Sequence, residues 1–542
     1  MPWVGLQTAD GPFPDYVSGE AGGLGRYGEA MLGYALLQTG LRDGSQPLVD
    51  AGLRAIGYAL RHPERQEADH SVFEMYALAA AYNLAKGELA TDSHFVALAP
   101  AWIQRLQTER PLRLRGSGTY GNKSIVEAVA VLELLRSDLR SAVPRSWLRN
   151  RRLARGRAHR LINWTVPRRA PRRAGRAMLS DPPAQPLAYH ALSLGFYARA
   201  VRLLGREASR PARRTLVRGA RASLTLTAPD GDLAYVGRSQ QQAWALPFTA
   251  YGVEAAARLA RPGRAARLRA LAVRALTRLE TSYVLTDGGL AIVPAFVEPL
   301  PPWYGGIDRY VGAVPYSGLT IVGLNLAAEL GRGRRVGTLI SADRDMAASI
   351  AAQSGDMAVL RRGPVWLAVK RIRSHADLRY DFGLVGLKVA GPSGSQDVIP
   401  DRPHAIGASL GPTLLVPGVE HEPAGRRIRA SARAVRVIGR FQGAHGRTVF
   451  AYLPTACGVE LRFRGAPGAV YRYSTLFPAR ANPHAEGDRT VVGAGQRVSV
   501  NAPATVQFTG GFNSASEPNL VRADLTFAAD PSGRVAIATC AS

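Results

Sequence analysis

Lysine is almost missing from this chain. Only Lys86, Lys123, Lys370 and Lys388 occur among 542 residues, so nearly all of the 69 basic side chains are arginines. Acids are in deficit too, 41 against those 69, which leaves a formal charge of +28. An arginine-dominated surface with abundant alanine reads as GC-rich coding bias, so the charge alone does not specify a nucleic-acid ligand. No helix-turn-helix, zinc-finger or RNA-recognition signature accompanies it, and nucleic acid ranks last among the partners. Cysteine is nearly absent as well: Cys457 and Cys540 are the two present. With no CxxC pair and ten scattered histidines, no metal-ligand spacing is formed. No cofactor is called for, and a structural cation stays open. The cysteine pair fits one disulfide on the last strand and two buried thiols equally well.

Long apolar runs are missing. The longest uncharged stretch, Val311–Ala328, contains Pro315, Ser317, Thr320 and Asn325 and reads as a buried helix, not a membrane span. The opening residues carry no basic n-region or apolar h-region and are already loop-like. We expect an exported or cell-surface protein whose leader lies outside this sequence, with a cytoplasmic one as the alternative. Gly19–Gly28 is glycine-rich, but no strand precedes it and no Lys-Ser/Thr pair follows, which excludes a P-loop. What remains is a globular composition, 46% hydrophobic and 20% charged, on a chain long enough for two domains.

Six small-residue-rich amphipathic helices recur, each after a polar or aromatic lead-in: Tyr27–Leu41, Phe73–Lys86, Asn122–Leu135, Leu187–Leu204, Pro247–Leu259 and Tyr316–Leu330. The repeat length, roughly 45 to 70 residues, suits two helices and their connections. Partner helices carrying more arginine lie between them at Pro47–Arg61, His94–Gln107, Arg210–Leu226 and Arg264–Tyr283, with a weaker segment at Val336–Gln353. Crowded inner helices favour Ala and Gly, whereas outer ones have a wet face and take charge. This predicts an incomplete (α/α)6 toroid over residues 1–350; an open α-solenoid is the rival.

Half of the charge excess is local. Residues 136–176 hold fourteen arginines and one acid, Asp138. The plain reading is a solvated insertion; the functional one is a surface that concentrates a polyanion. Near Gly355 the period changes, and about ten short Val-rich strands follow, separated by turns such as Pro392-Ser393-Gly394. They predict an antiparallel β-sandwich over residues 351–542. The fold class is therefore multidomain α+β.

If the inner helices are correctly assigned, the residues before and at their starts converge on one rim. These are Asp69 and His70; Tyr120, Gly121, Asn122 and Lys123; Gln185, Tyr189 and His190; Arg238 to Gln242 and Trp244; and Trp303, Tyr304, Asp308, Arg309 and Tyr310. Aromatics, amides and arginines with few carboxylates suit a groove that stacks sugars and pairs with acidic groups. The loop Asp230–Gln242, with Tyr235, Arg238 and three glutamines including Gln241, is the most unusual segment. It serves either as a sugar-binding loop or as a polar turn that caps the next helix.

The layout and two patches resemble the heparinase II/III-like and alginate-type polysaccharide lyases. Gly121-Asn122-Lys123, opening a helix, is similar to that family's Gly-Asn-His helix start. Gln185-Pro186-Leu187-Ala188-Tyr189-His190 resembles its Ser-x-x-Tyr-His segment. The resemblance implies β-elimination on a uronate-containing, acidic polysaccharide. It assigns the Asn122 amide to the uronate carboxylate and Tyr189, with His190 beside it, to acid/base work; Arg238 would help to neutralise charge. Tyr120, Lys123, Tyr235, Gln241, Trp244, Trp303, Tyr304 and His404 complete the expected substrate contacts. Lys123 stands where the family has His, and the residues before Tyr189 differ. A glycoside hydrolase needs two opposed carboxylates, for which Asp69, Asp232 and Asp308 are the rim candidates. A non-catalytic binder of acidic glycans is the third reading.

Overall fold

The computed structural model describes the chain except residues 1, 16, 18–26, 64–70, 109–120, 138–144, 171, 174–175, 180–185, 295–311, 332–349, 355, 375–376, 392–393, 405–408, 444–445, 466–467, 494, 530–531 and 540–542. After a short helix α1 (Pro2–Leu6), helices alternate between an inner and an outer role: α2 (Gly28–Asp43), α3 (Gln46–Arg61), α4 (Ser71–Glu88), α5 (Ser93–Thr108), α6 (Asn122–Arg136), α7 (Arg145–Arg160) and α8 (Val166–Arg169). The series continues with α9 (Leu187–Leu204), α10 (Arg210–Leu226), α11 (Ala245–Ala257), α12 (Pro262–Tyr283) and α13 (Ala313–Gly331). The even-handed burial of α2, α4, α6, α9, α11 and α13 marks them as inner; each packs on the next, and α13 packs back on α2. The ring is closed, which excludes the open solenoid.

Closure needs small residues. A Cβ on Gly318 of α13 would lie 2.7 Å from the Leu32 backbone nitrogen on α2. Asn325 fastens the same seam, donating to Ala35 O at 3.2 Å and Thr39 Oγ1 at 2.9 Å. Aromatic rings fill the ring's interior: Tyr34 on Tyr76, Tyr76 on Phe196 and Phe196 on Phe248, with centroids 5.0–6.0 Å apart. These edge-on and stacked contacts plug the toroid.

The arginine-rich stretch is the main correction. It is no loop insertion: α7, a π-turn at Leu161–Thr165 and α8 form the missing outer partner of α6. Ala154, Ala158, Ile162 and Val166 are buried on its inner side, while Arg152, Arg155, Arg160, Trp164 and Arg168 are exposed. The period-3.6 pattern was hidden because in the arginine-dense part of α7 the contact is made by the small Ala154 and Ala158, and the larger Ile162 and Val166 come only after it. The weak outer segment at 336–353 falls largely outside the described residues, and its end is a strand.

Short connections join α2 to α3, α4 to α5, α9 to α10 and α11 to α12 at one rim, Gly44-Ser45 being the shortest. Longer segments return to the next inner helix, so the inner N-termini share the opposite rim.

Among the described residues the strands form four antiparallel sheets. β1 (Arg172–Arg173) and β2 (Arg176–Ala177) are a small ribbon in the toroid. β3 (Ile350–Ser354), β4 (Met357–Arg362), β5 (Val365–Lys370), β6 (Gly383–Gly391) and β7 (Gly394–Asp397) form a five-stranded sheet in sequence order. Alternate residues face opposite ways: Met357, Val359 and Trp366 join the toroid core, and Ala358, Leu360 and Leu367 join the sandwich core. The sheet is thus a buried partition. Beyond it come β8 (Gly411–Val416), β9 (Val419–His421), β10 (Pro423–Ala430), β11 (Val435–Phe441), β12 (Thr448–Pro454), β13 (Gly458–Arg464) and β14 (Val470–Pro478). The last are β15 (His484–Glu486), β16 (Thr490–Gly493), β17 (Gln496–Val500), β18 (Ala504–Phe512), β19 (Leu520–Ala528) and β20 (Ser532–Ala538). They make an eight-stranded sheet, β10-β11-β12-β13-β20-β17-β16-β15, and a five-stranded one, β18-β19-β14-β8-β9. Cys457 is disulfide-bonded.

Candidate active site

The rim of inner N-termini carries an aromatic row. Tyr189, two residues into α9, meets Trp244 edge-on at 5.6 Å, and Trp244 meets Tyr316 of α13 at 5.9 Å. On the other side of the ring Tyr27 stacks on Phe73 at 4.9 Å. Asn122 is the first residue of α6, which packs directly on α9, so it opens the neighbouring helix on the same rim. Its side chain is buried, and Oδ1 accepts from the Lys123 backbone N–H at 2.5 Å.

Arg238 joins this group across the chain. Its Cζ lies 4.5 Å from the centroid of the Tyr189 ring, a cation–π contact. Ser239 Oγ donates to the Tyr189 hydroxyl at 3.4 Å. The backbone that presents both residues is contorted. Gly237, Ser239 and Gln241 have φ of 88°, 60° and 52°, and two of these are not glycine. Left-handed conformations in such residues are strained and gather at functional sites.

What over-determines this loop is the second domain. Gly237 N donates to Arg379 O at 2.9 Å, Arg238 N to the Tyr380 hydroxyl at 2.8 Å, and Gln240 Nε2 to Arg402 O at 3.2 Å. His404, 45% exposed in its side chain, sits beside these anchors with Nε2 3.6 Å from Asp377 Oδ2. Asp377 is in turn held by Arg379 at 2.8 Å. Tyr380, Arg379, Asp377 and Arg402 had no sequence signal, because β-domain loops carry no periodicity that aims them at a helix rim.

Beneath the loop lies a buried charge cluster. Lys388 Nζ contacts Asp397 at 2.6 Å and Asp230 at 2.9 Å, with Asp232 at 3.9 Å, and Arg278 reaches Asp230 at 3.4 Å. Burial alone would depress the Lys388 pKa; the surrounding Asp397, Asp230 and Asp232 reverse this and hold it above the ordinary lysine value. Burial raises the pKa of Asp232, and burial with the neighbouring Asp232 and Asp397 pushes Asp401 up to about 7. Two of the four lysines are thus consumed inside the protein, Lys388 here and Lys370 against Asp356 at 2.9 Å.

Several expected contacts are corrected by their surroundings. His190 faces away from the rim: Nδ1 accepts from Leu179 N at 2.9 Å and Nε2 meets Ser223 Oγ at 3.1 Å, inside the α9–α10 packing. Burial lowers its pKa to about 4, so it is a neutral core histidine. Tyr235 donates to Leu226 O at 2.7 Å and packs on Trp366, sealing the two domains together. The Gln241 side chain is consumed: its Nε2 donates to Asp232 Oδ2 at 2.6 Å and its Oε1 accepts from the Tyr283 hydroxyl at 3.2 Å. Trp244 is fully buried, although its indole N–H has no acceptor among the described residues. Tyr120, Trp303 and Tyr304, like Asp69, His70, Gln185, Asp308, Arg309 and Tyr310, lie outside the described residues. Asp232, the described carboxylate of the hydrolase reading, is locked to Gln241 and Lys388. Among the described residues no cluster of three or more His, Cys, Asp or Glu side chains could hold a metal, and no helix is long and apolar enough to cross a membrane.

The other mouth of the toroid holds a cavity of about 510 Å³. Most of its cations are paired within the lining: Arg199 reaches Glu133 at 2.5 Å and Glu329 at 3.8 Å, and Arg136 reaches Glu133 at 3.2 Å.

No known family profile matches the sequence, and no curated protein does so either. Solved structures do match. Heparinase III aligns with a TM-score of 0.56 at 10% identity, over 94% of this chain and 77% of that one. A second heparinase III and chondroitinase AC lyase each give 0.49 at 10% identity, over 93% and 100% of this chain and 77% and 80% of theirs. The helical toroid followed by antiparallel sheets is therefore the fold this chain shares with heparinase III.

Proposed function

We propose that this protein is a polysaccharide lyase that cleaves an acidic, uronate-containing glycan by β-elimination at the rim of inner helix N-termini. The observation that carries the reading is the Arg238 guanidinium over the Tyr189 ring, 4.5 Å from its centroid, beside the helix that Asn122 opens.

The chemistry follows from what elimination requires. The proton next to a charged carboxylate is weakly acidic, because its removal piles negative charge onto an existing one. Arg238 and the Asn122 amide supply charge and hydrogen bonds to that carboxylate, and their effect grows as the enolate-like charge develops. Tyr189, as its phenolate, takes the proton, the C–H electron pair forms the new double bond, and the glycosidic oxygen leaves with that proton, returned by the phenol so formed. His404 and Lys123 extend the site along the polymer. His190 has no part in this scheme. The fold shared with heparinase III, an enzyme named for its action on heparin, supports an acidic-glycan substrate.

The test is a panel of uronate polymers followed by ultraviolet absorbance of the new C=C bond. Tyr189→Phe is expected to lower turnover on the order of 10²–10⁴-fold with polymer binding retained. Unchanged turnover in that variant, or new reducing ends without the chromophore, overturns the reading.

A further inference from the structure

We propose that the solvent face of the eight-stranded sheet is a docking surface for a linear acidic polysaccharide, separate from the rim. The sheet's register places arginines opposite one another. Arg429 of β10 pairs with Arg436 of β11, Arg436 with Ala451 of β12, Ala451 with Arg462 of β13, and Arg462 with Arg534 of β20. All four arginines are exposed, while Ile428, Val435, Val437, Leu461, Phe463 and Val535 beside them are buried in the sandwich core. Four strand spacings separate the ends of this ladder, roughly 19 Å.

These five strands contain eight arginines and a single acid, Glu460, which pairs with Arg462. Like charges placed directly across a ladder destabilise a sheet. Arg429 opposite Arg436 is therefore a fold-level cost that an anionic partner relieves, whereas Arg462 opposite Arg534 is already offset in part by Glu460. At the β10 edge the ladder runs into a groove of about 640 Å³ lined by Arg426, Arg427, Arg440 and Arg447, with no carboxylate.

The class of polyanion follows from what else the face offers. It exposes no aromatic side chain among the described residues, so unstacked bases find no platform. Among the described residues its exposed large apolar side chain is Val449 alone, too little to enter a lipid interface. A row of cations crossing the strands fits a chain with regularly spaced carboxylates or sulfates. The choice of a uronate polymer as ligand rests on the proposed function above; the surface itself does not.

The experiment uses the full chain carrying Tyr189→Phe, so that cleavage cannot confuse binding, and size-defined polygalacturonate as the probe. Replacing Arg429, Arg436, Arg462 and Arg534 together by Ser is expected to weaken binding about tenfold at low ionic strength, the sum of four weak exposed ion pairs. The salt dependence of binding should shrink, and the melting temperature should hold or rise as like-charge contacts disappear. Unchanged affinity overturns the proposal. So does displacement of the polymer by a single-stranded oligonucleotide or by phosphatidylserine vesicles more readily than by dextran sulfate. If no uronate polymer is cleaved by the unmodified chain, yet polygalacturonate binds and the fourfold variant releases it, the docking surface stands and the lyase reading falls.

Discussion

Gly237→Ala is the sharpest test of how the rim is held. Gly237 has φ of +88°, and a Cβ there would stand 2.6 Å from Pro186 Cβ and 2.8 Å from Pro186 Cα. Pro186 is the residue before α9, which begins at Leu187 and carries Tyr189. Two penalties are separable. The left-handed backbone costs an L-residue roughly 1–2 kcal/mol, and forcing a methyl into packed backbone costs about 1–3 kcal/mol, so about 2–5 kcal/mol is expected. Gly44→Ala is the matched control. Its φ is +67°, nothing lies within 4 Å of its would-be Cβ, and it ends α2 on the far rim. That variant should lose only the first penalty. Urea unfolding of both, compared at equal m, gives the difference. The Gly237 variant should in addition lose turnover on a uronate polymer, because Pro186 and α9 shift against Arg238, whereas the Gly44 variant keeps it. Equal stability losses in the two variants, or full turnover in Gly237→Ala, would refute the claim that this contact sets the site.

Other consequences are as direct. Lys388→Met should destabilise the protein by about 3–5 kcal/mol, because it leaves Asp230 and Asp232 buried against Arg278 alone; chemical unfolding measures it, and a loss under about 1 kcal/mol would show the cluster to be hydrated. Asp401, pushed up to about 7 by burial and its carboxylate neighbours, and Glu127, raised to about 7 by burial, bind protons more tightly folded than unfolded. Their contribution is fully present below the unfolded carboxylate range and is lost as pH rises through about 7, by up to about 1.4 kcal/mol per pH unit for each proton. His190 acts oppositely: with its pKa lowered to about 4, its contribution is lost as pH falls through that value. Asp401→Asn should therefore flatten the stability curve between pH 4 and 7 and leave the acid limb in place, which thermal melts across that range would check. Tyr235→Phe should cost about 1 kcal/mol for the lost bond to Leu226 and spare turnover; a large drop in turnover would return Tyr235 to the site.

The helical repeat was legible because two independent signals agreed. Apolar periodicity set the helices, and the contrast between Ala/Gly-rich and Arg-rich faces separated inner from outer; Leu187–Leu204 and Arg210–Leu226 are found at the bounds read from sequence. The same contrast misled at residues 145–169, where the density of arginine masked a row of alanines. In the β region, strands with clear alternation, such as Val435–Phe441, were visible. Gly411–Val416, Pro423–Ala430 and Leu520–Ala528 lack that alternation: Pro423–Ala430 carries three arginines on its exposed positions, Gly411–Val416 begins with Gly-Pro, and Leu520–Ala528 buries consecutive residues. At the rim the pattern gave Tyr189 and Arg238, whose contact is a finding of the structure. It could not separate them from His190, Tyr235 and Gln241, because residue type does not say which way a side chain turns.

That last point bears on how the site is built. Tyr189 comes from the toroid, but the loop presenting Arg238 is fixed by the Arg379 carbonyl and the Tyr380 hydroxyl of the sheet domain, and beneath them by Lys388 of β6. The positive φ of Gly237 and Ser239, flanking Arg238, is braced by those partners, whereas Gln241 is held within the toroid by Asp232 and Tyr283. An isolated toroid would let this segment relax to ordinary backbone and withdraw the cation from the phenol. The second domain therefore acts on the chemistry through backbone geometry. A site divided in this way explains why the buried charges gather at the partition, where one lysine ties two toroid carboxylates to a strand that faces both cores.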